Sequence, residues 1–141
     1  MAAAALMLSA CSVGSFSGSQ ADQVASWSKG AGVVGSTSQL DADVAHIKTL
    51  MHYGGKSAAT GCLVLGDDVR KAHGELPTPD SALTTDLDQA YRLLFEAATR
   101  CYALAEGNHI GEMGPVISLL DKGTALLARS KVVLASFGVR S

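Results

Sequence analysis

The sequence predicts an all-α fold, an antiparallel four-helix bundle, and three observations predict it. Apolar residues recur at alternating steps of four and three in four separate stretches, the spacing that lines one face of a helix. Those stretches are filled mainly by Ala, Leu and Val, residues that suit narrow helix seams, in a chain that is 48% hydrophobic and 17% charged. No run alternates apolar and polar residues between hairpin turns, so nothing in the chain asks for a strand.

The first seam runs Val33, Thr37, Leu40, Val44, Ile47 and Met51, with Thr37 its only polar member. Gly30, Gly32 and Gly35 surround its start, and each costs roughly 1 kcal/mol in a helix interior relative to Ala. This helix is therefore expected to begin only near Ser36 or Ser38. After the break at Gly54-Gly55 the second seam runs Ala58, Cys62, Leu65, Val69, Ala72 and Leu76, with the helix ending near His73-Gly74. Leu76-Pro77-Thr78-Pro79-Asp80 interrupts the pattern, because each proline removes a backbone donor and disfavours helical geometry in the residue before it. Thr78 is the expected cap of the next helix, with Pro79 at its first position.

The third seam is Leu83, Leu87, Ala90, Leu94, Ala97, Cys101 and Leu104, widened by Tyr91, Ala98 and Ala105, and it should stop near Gly107. After a link from Asn108 to Gly114, the fourth seam runs Val116, Leu120, Gly123, Leu127, Ser130, Leu134 and Phe137, flanked by Leu119, Leu126 and Val133. Gly123 and Ser130 are small enough to let a neighbouring helix approach closely. Four such seams joined by short links fit a single antiparallel bundle.

The N-terminal residues carry the strongest motif. Met1 to Ala10 are apolar or small and run into Leu8-Ser9-Ala10-Cys11, which resembles the lipobox of bacterial lipoprotein signal peptides. The length fits a secretory signal, whose apolar region is about 7–15 residues, and falls short of the about 20 needed to span a bilayer. The resemblance implies a signal peptide over residues 1–10, a diacylglyceryl group on the Cys11 sulfur, and cleavage before that residue. The chain would then sit on the extracytoplasmic face of the cell membrane, where at least two acyl chains give stable anchoring. Signals of this kind open with Lys or Arg, yet the first charge here is Asp22, so the translation start is expected upstream of Met1. Residues 11–26, which include the serine- and glycine-rich stretch Ser12 to Gln20, are expected to form a flexible tether. The bundle domain is expected over 27–141, of a size for one domain. The combination of lipobox, tether, Trp27 and four helices with cysteines in the second and third resembles small helical lipoproteins of actinobacteria. That resemblance implies location and helical architecture, and no catalytic residue.

With Cys11 lipidated, Cys62 and Cys101 remain as an even pair in an oxidising compartment. The helix from Cys62 covers about 18 Å and the helix leading to Cys101 about 32 Å, so the linker has to supply about 14 Å. Glu75 to Pro79, extended at about 3 Å per residue, is long enough. A Cys62–Cys101 disulfide is expected, two separate buried thiols being the alternative. The bridge would close a loop of about forty residues and stabilise by about 3–4 kcal/mol in the chain-entropy account.

Other chemistries find little support. A net charge of -2, a pI near 6.0 and scattered Lys and Arg leave neither a stripe for nucleic acid nor a polybasic membrane patch. His46, His52, His73 and His109 match no haem-attachment or HExxH zinc pattern. A di-iron bundle needs a Glu-x-x-His on each of two helices together with further glutamates, and the chain offers that spacing once, at Glu106-Gly107-Asn108-His109, across the break expected at Gly107. Within a helix Asp43-x-x-His46 comes nearest, and is expected to be a solvated pair on one helix face. Asp43 and Asp68 each adjoin a seam position and are expected to be surface acids, with an inward hydrogen bond across the first two helices as the alternative. Met51, His52 and Met113 are too dispersed for a copper site. No GxSxG turn presents a nucleophile, and Gly30 to Gly35 matches GxGxxG without the strand that would make it a nucleotide loop. Trp27 is expected to cap one end of the core.

The sequence thus points to a membrane-anchored, non-enzymatic binding or envelope-interaction module, without cofactor, catalytic residue or nucleic-acid partner. Its partner would be an envelope protein or a small ligand, with Trp27, Asp43 and His46 as candidate contacts. The alternative is a metal or small-molecule carrier whose site lies between helices and draws on His46, His52 and His73.

Overall fold

The computed structural model describes residues 18–53 and 55–140. The regular structure among them is entirely helical: α1 (Gln20–Ala31), α2 (Val33–Leu50), α3 (Lys56–His73), α4 (Ser81–Glu106), a single 3₁₀ turn (Ile110–Glu112) and α5 (Gly114–Ser136). The proposed signal over 1–10 and Cys11 lie outside the described residues. No helix among the described residues is long and apolar enough to cross a membrane.

α2 to α5 carry the four predicted seams and pack as an up-and-down bundle. Cross-helix contacts fix the antiparallel order. Gly61 of α3 lies against Ile47 and Leu50 of α2, while the α3–α4 pair is joined at one end by Cys62–Cys101 and at the other by His73–Asp88. Arg129 of α5 reaches Asp86 of α4, and Lys48 and Lys131 close the ring by pairing with Asp121 and Asp41. Burial follows the seams closely. Leu40, Leu65, Leu83, Leu87, Leu94, Leu120 and Leu127 are all fully enclosed. Thr37, the polar member of the first seam, is buried because its Oγ1 donates to the Val33 carbonyl at 2.8 Å, a bond within its own helix that satisfies the hydroxyl.

Three expectations at the level of elements need correction, and one link gains a turn of its own. The bundle is preceded by a fifth α-helix: residues 20–26, expected as tether, are the first turns of α1, so the folded part of the described chain begins at Gln20, ahead of the boundary expected at 27. A capping box starts it, in which the Ser19 hydroxyl accepts from the Asp22 amide and the Asp22 carboxylate accepts from the Ser19 amide. α2 starts at Val33 rather than near Ser36. Gly32 at φ 61 makes the left-handed turn that ends α1 and admits α2 one residue later. Gly35 stays helical because burial of Val33, Thr37 and Leu40 outweighs its weak propensity.

The cap of α4 is Asp80 rather than Thr78. Its carboxylate accepts from the Leu83 amide at 2.7 Å, so the helix starts at Ser81. Thr78 braces the turn instead, accepting from the Asp80 amide at 3.0 Å and donating to the Asp80 carbonyl at 2.6 Å. Finally, the link from Asn108 to Gly114 is ordered by its 3₁₀ turn, which holds Met113 at 3% exposure in the core.

Candidate functional site

α4 carries two stripes. One is the predicted seam. The other, one position round the helix, is Tyr91, Phe95 and Tyr102, at spacings of four and seven that return to the same face. Tyr91 is almost wholly buried, whereas Phe95 and Tyr102 are 40% and 37% exposed. Facing Tyr91 and Phe95 on α3 is Val69, which is buried. The result is an open groove of about 650 Å³ between α3 and α4, floored by Val69, Tyr91 and Phe95.

The rim of the groove is charged and balanced. Arg70 pairs with Asp67 at 2.8 Å, Arg92 with Asp88 at 2.7 Å and Arg100 with Glu96 at 2.6 Å, each within one helical turn. Three guanidinium groups are thereby matched by three carboxylates. Arg70 also lies over the Phe95 ring, 5.7 Å from its centroid, a cation–π contact that keeps the ring at the mouth of the groove. At one end His73 Nε2 meets Asp88 Oδ1 at 2.8 Å, and the His73 ring stands edge-on to Tyr91 at 6.2 Å. The hydrogen bonds from His73 and Arg92 hold the Asp88 carboxyl below its ordinary range. Burial pushes the Tyr91 hydroxyl up to about 12, so it stays a neutral phenol at physiological pH. His73 and Asp88 have the geometry of a base and its orienting carboxylate, but the groove lining offers Thr99 and Tyr91 as its hydroxyls and neither serine nor cysteine.

The groove stands on a braced pair of helices. Cys62 and Cys101 are each 1% exposed and form a disulfide with Cα atoms 5.8 Å apart, as the reach of the linker permits. One turn along, Gly66 sits against Ala98, so α3 and α4 approach closely beneath the groove.

The other candidate residues are distributed elsewhere. Trp27 is half-buried against the core, and its indole N–H donates to the Glu75 carbonyl at 3.0 Å. It ties α1 to the chain following α3, the capping role expected of it. Asp43 is not the solvated acid expected, since it is 8% exposed at the α2–α3 interface. His46, one turn on, is exposed, and both line a shallower groove with Leu50, Ser57, Thr60 and Val64. The histidines of the carrier reading stay apart: His46 on α2, His52 beyond its end, and His73 at the end of α3 against Asp88. Among the described residues no three His, Cys, Asp or Glu side chains converge as a metal site requires. The α3–α4 groove escaped the sequence reading, although Tyr91, Phe95 and Tyr102 beside the seam were its signal: aromatic side chains continue past the point where the seam itself is filled. Compared with protein-family models, with curated proteins and with solved structures, the chain finds no match.

Proposed function

We propose that this protein is a membrane-anchored lipoprotein, lipidated at Cys11 on the extracytoplasmic face, whose helical bundle is a non-enzymatic module that binds a small, uncharged, apolar ligand in the α3–α4 groove. The groove carries the binding half of this reading. Its volume of about 650 Å³ falls within the roughly 300–1,000 Å³ of small-molecule pockets. Its floor is apolar and aromatic, and its arginines are already neutralised by Asp67, Asp88 and Glu96, which favours an uncharged occupant over an anion. The anchoring half is supported by the lipobox alone, and the Cys62–Cys101 bridge fits an oxidising compartment.

Each half has its own test. Intact mass of protein taken from its native membrane fraction should begin at Cys11 and carry a diacylglyceryl group; an unlipidated mass retaining Met1 defeats the anchor. For the groove, a neutral fluorophore such as N-phenyl-1-naphthylamine should saturate a single site. Replacing Phe95 with Asp should weaken that binding by at least about tenfold with the helical circular dichroism unchanged. Equal binding by both proteins would place the ligand site elsewhere or nowhere.

A further inference from the structure

Asp43 presents a problem of hydrogen bonding that neither the groove nor the anchor explains. Its Oδ1 accepts from Gln39 Nε2 at 2.8 Å. Its Oδ2 is closed off from solvent and meets no donor, so no ligand in the neighbouring groove can reach it. Leaving a buried carboxylate oxygen without a donor is costly. The group set against it across the helix interface is another acid: Asp68 of α3 lines one cleft with Gln39, the partner of Asp43, and acts on Asp43 both by charge and as a hydrogen-bonding partner. Two carboxylates have no hydrogen between them. One proton supplies it.

We propose that Asp43 and Asp68 share a proton across the α2–α3 interface, a carboxyl–carboxylate clasp that closes in acid and is lost as the pH rises. The surrounding groups assign the proton to Asp43. Lys71 Nζ donates to Asp68 Oδ1 at 3.0 Å, which favours Asp68 as the charged acceptor, and Asp68 is the more exposed of the two with a side chain at 24%. Burial above all pushes the Asp43 carboxyl up; the Gln39 bond opposes this, Asp68 adds to it, and His46 opposes it weakly. The cleft that Asp68 shares with Gln39 also holds Lys71 and Glu75, while α1 contributes Ala31 to it.

The sign of the pH effect follows. A carboxyl raised above its unfolded value contributes stability that is fully present below the ordinary carboxylate range and is lost as pH rises through the raised value. The clasp therefore holds α2 on α3 in acid, and once the pH passes the raised value, ionisation of Asp43 sets two negative charges against each other.

Carbon-detected NMR titration of the two side-chain carboxyls in the intact protein tests this directly. Asp43 should titrate above the ordinary range, and Asp68→Asn should move that titration by removing its partner. Asp43→Asn, whose amide supplies a permanent donor to Asp68, should unfold at a higher temperature than the wild type at pH 7.5 and lose most of that advantage at pH 4.5. An Asp43 that titrates at or below the ordinary range overturns the proposal. So does an Asp43 titration unmoved by Asp68→Asn, since the rise would then come from burial alone.

Discussion

A methyl group added at Gly123 would lie 2.7 Å from both Cγ and Cδ2 of Leu94, a side chain with no exposure. Cγ is a branch point rather than a free end, and the enclosed side chain has no room to turn away, so α4 and α5 would have to separate. Gly123→Ala is expected to destabilise by about 1–3 kcal/mol despite its gain in helix propensity. At Gly35 the same methyl would meet nothing within 4 Å, on helical backbone, and Gly35→Ala should stabilise by about 0.5–1 kcal/mol. Urea unfolding of the two variants beside the wild type checks both signs; if both substitutions stabilise, the Gly123 contact is slack. The close approach at Gly123 was legible in the sequence because a residue without a side chain stood in a seam of leucines. The burial of Asp43 was not. Its position beside Val44 is compatible with either face of the seam's edge, and what covers it is a residue on another helix.

The α3–α4 pair is joined covalently as well as by packing, through Cys62–Cys101 over a sequence separation of 39. Removing the cross-link lengthens the loop available to the unfolded chain, and in the chain-entropy account that amounts to about 4 kcal/mol. Cys62→Ala with Cys101→Ala should show about this loss of unfolding free energy, and dithiothreitol should reproduce it in the wild type. A loss well under about 1 kcal/mol would mean that helix packing alone sets the α3–α4 register. The pairing is readable from the amino-acid order alone, since two seam cysteines and a linker of the required reach admit it. Helix α1 is not readable to the same degree. Its apolar stripe is short, with Val24 and Ser28 its buried residues, so periodicity is weak, and the capping box Ser19-x-x-Asp22 was its clearest mark. The exchange of Thr78 for Asp80 as the cap has a related origin: two residues that can both cap stand two apart, and the turn through Pro77 and Pro79 decides which of them meets the first helical amides.

At the scale of the whole molecule the four-helix core and α1 differ in how firmly they are held. The core helices share long apolar interfaces, whereas α1 is fastened by Val24, by Trp27 on the Glu75 carbonyl, and by Gln20 donating to Asp80 Oδ2 at 3.0 Å. Such an element opens at lower free energy than the rest. Trp27→Ala should release α1 while leaving α2 to α5 folded, seen as fast hydrogen exchange confined to residues 20–31; fast exchange throughout would show that α1 is integral to the core. The fastening also sets a distance. Gln20 meets Asp80 at the end of the bundle where α4 starts, opposite the end that carries Tyr53, which is 80% exposed. The residues from Cys11 to Gly18 span at most about 25 Å even when drawn straight, and α4, with 26 residues, is about 39 Å long. With Cys11 lipidated as proposed, no part of the bundle can stand more than about 65 Å above the bilayer, so whatever occupies the groove must be taken up and handed on within that shell of the envelope.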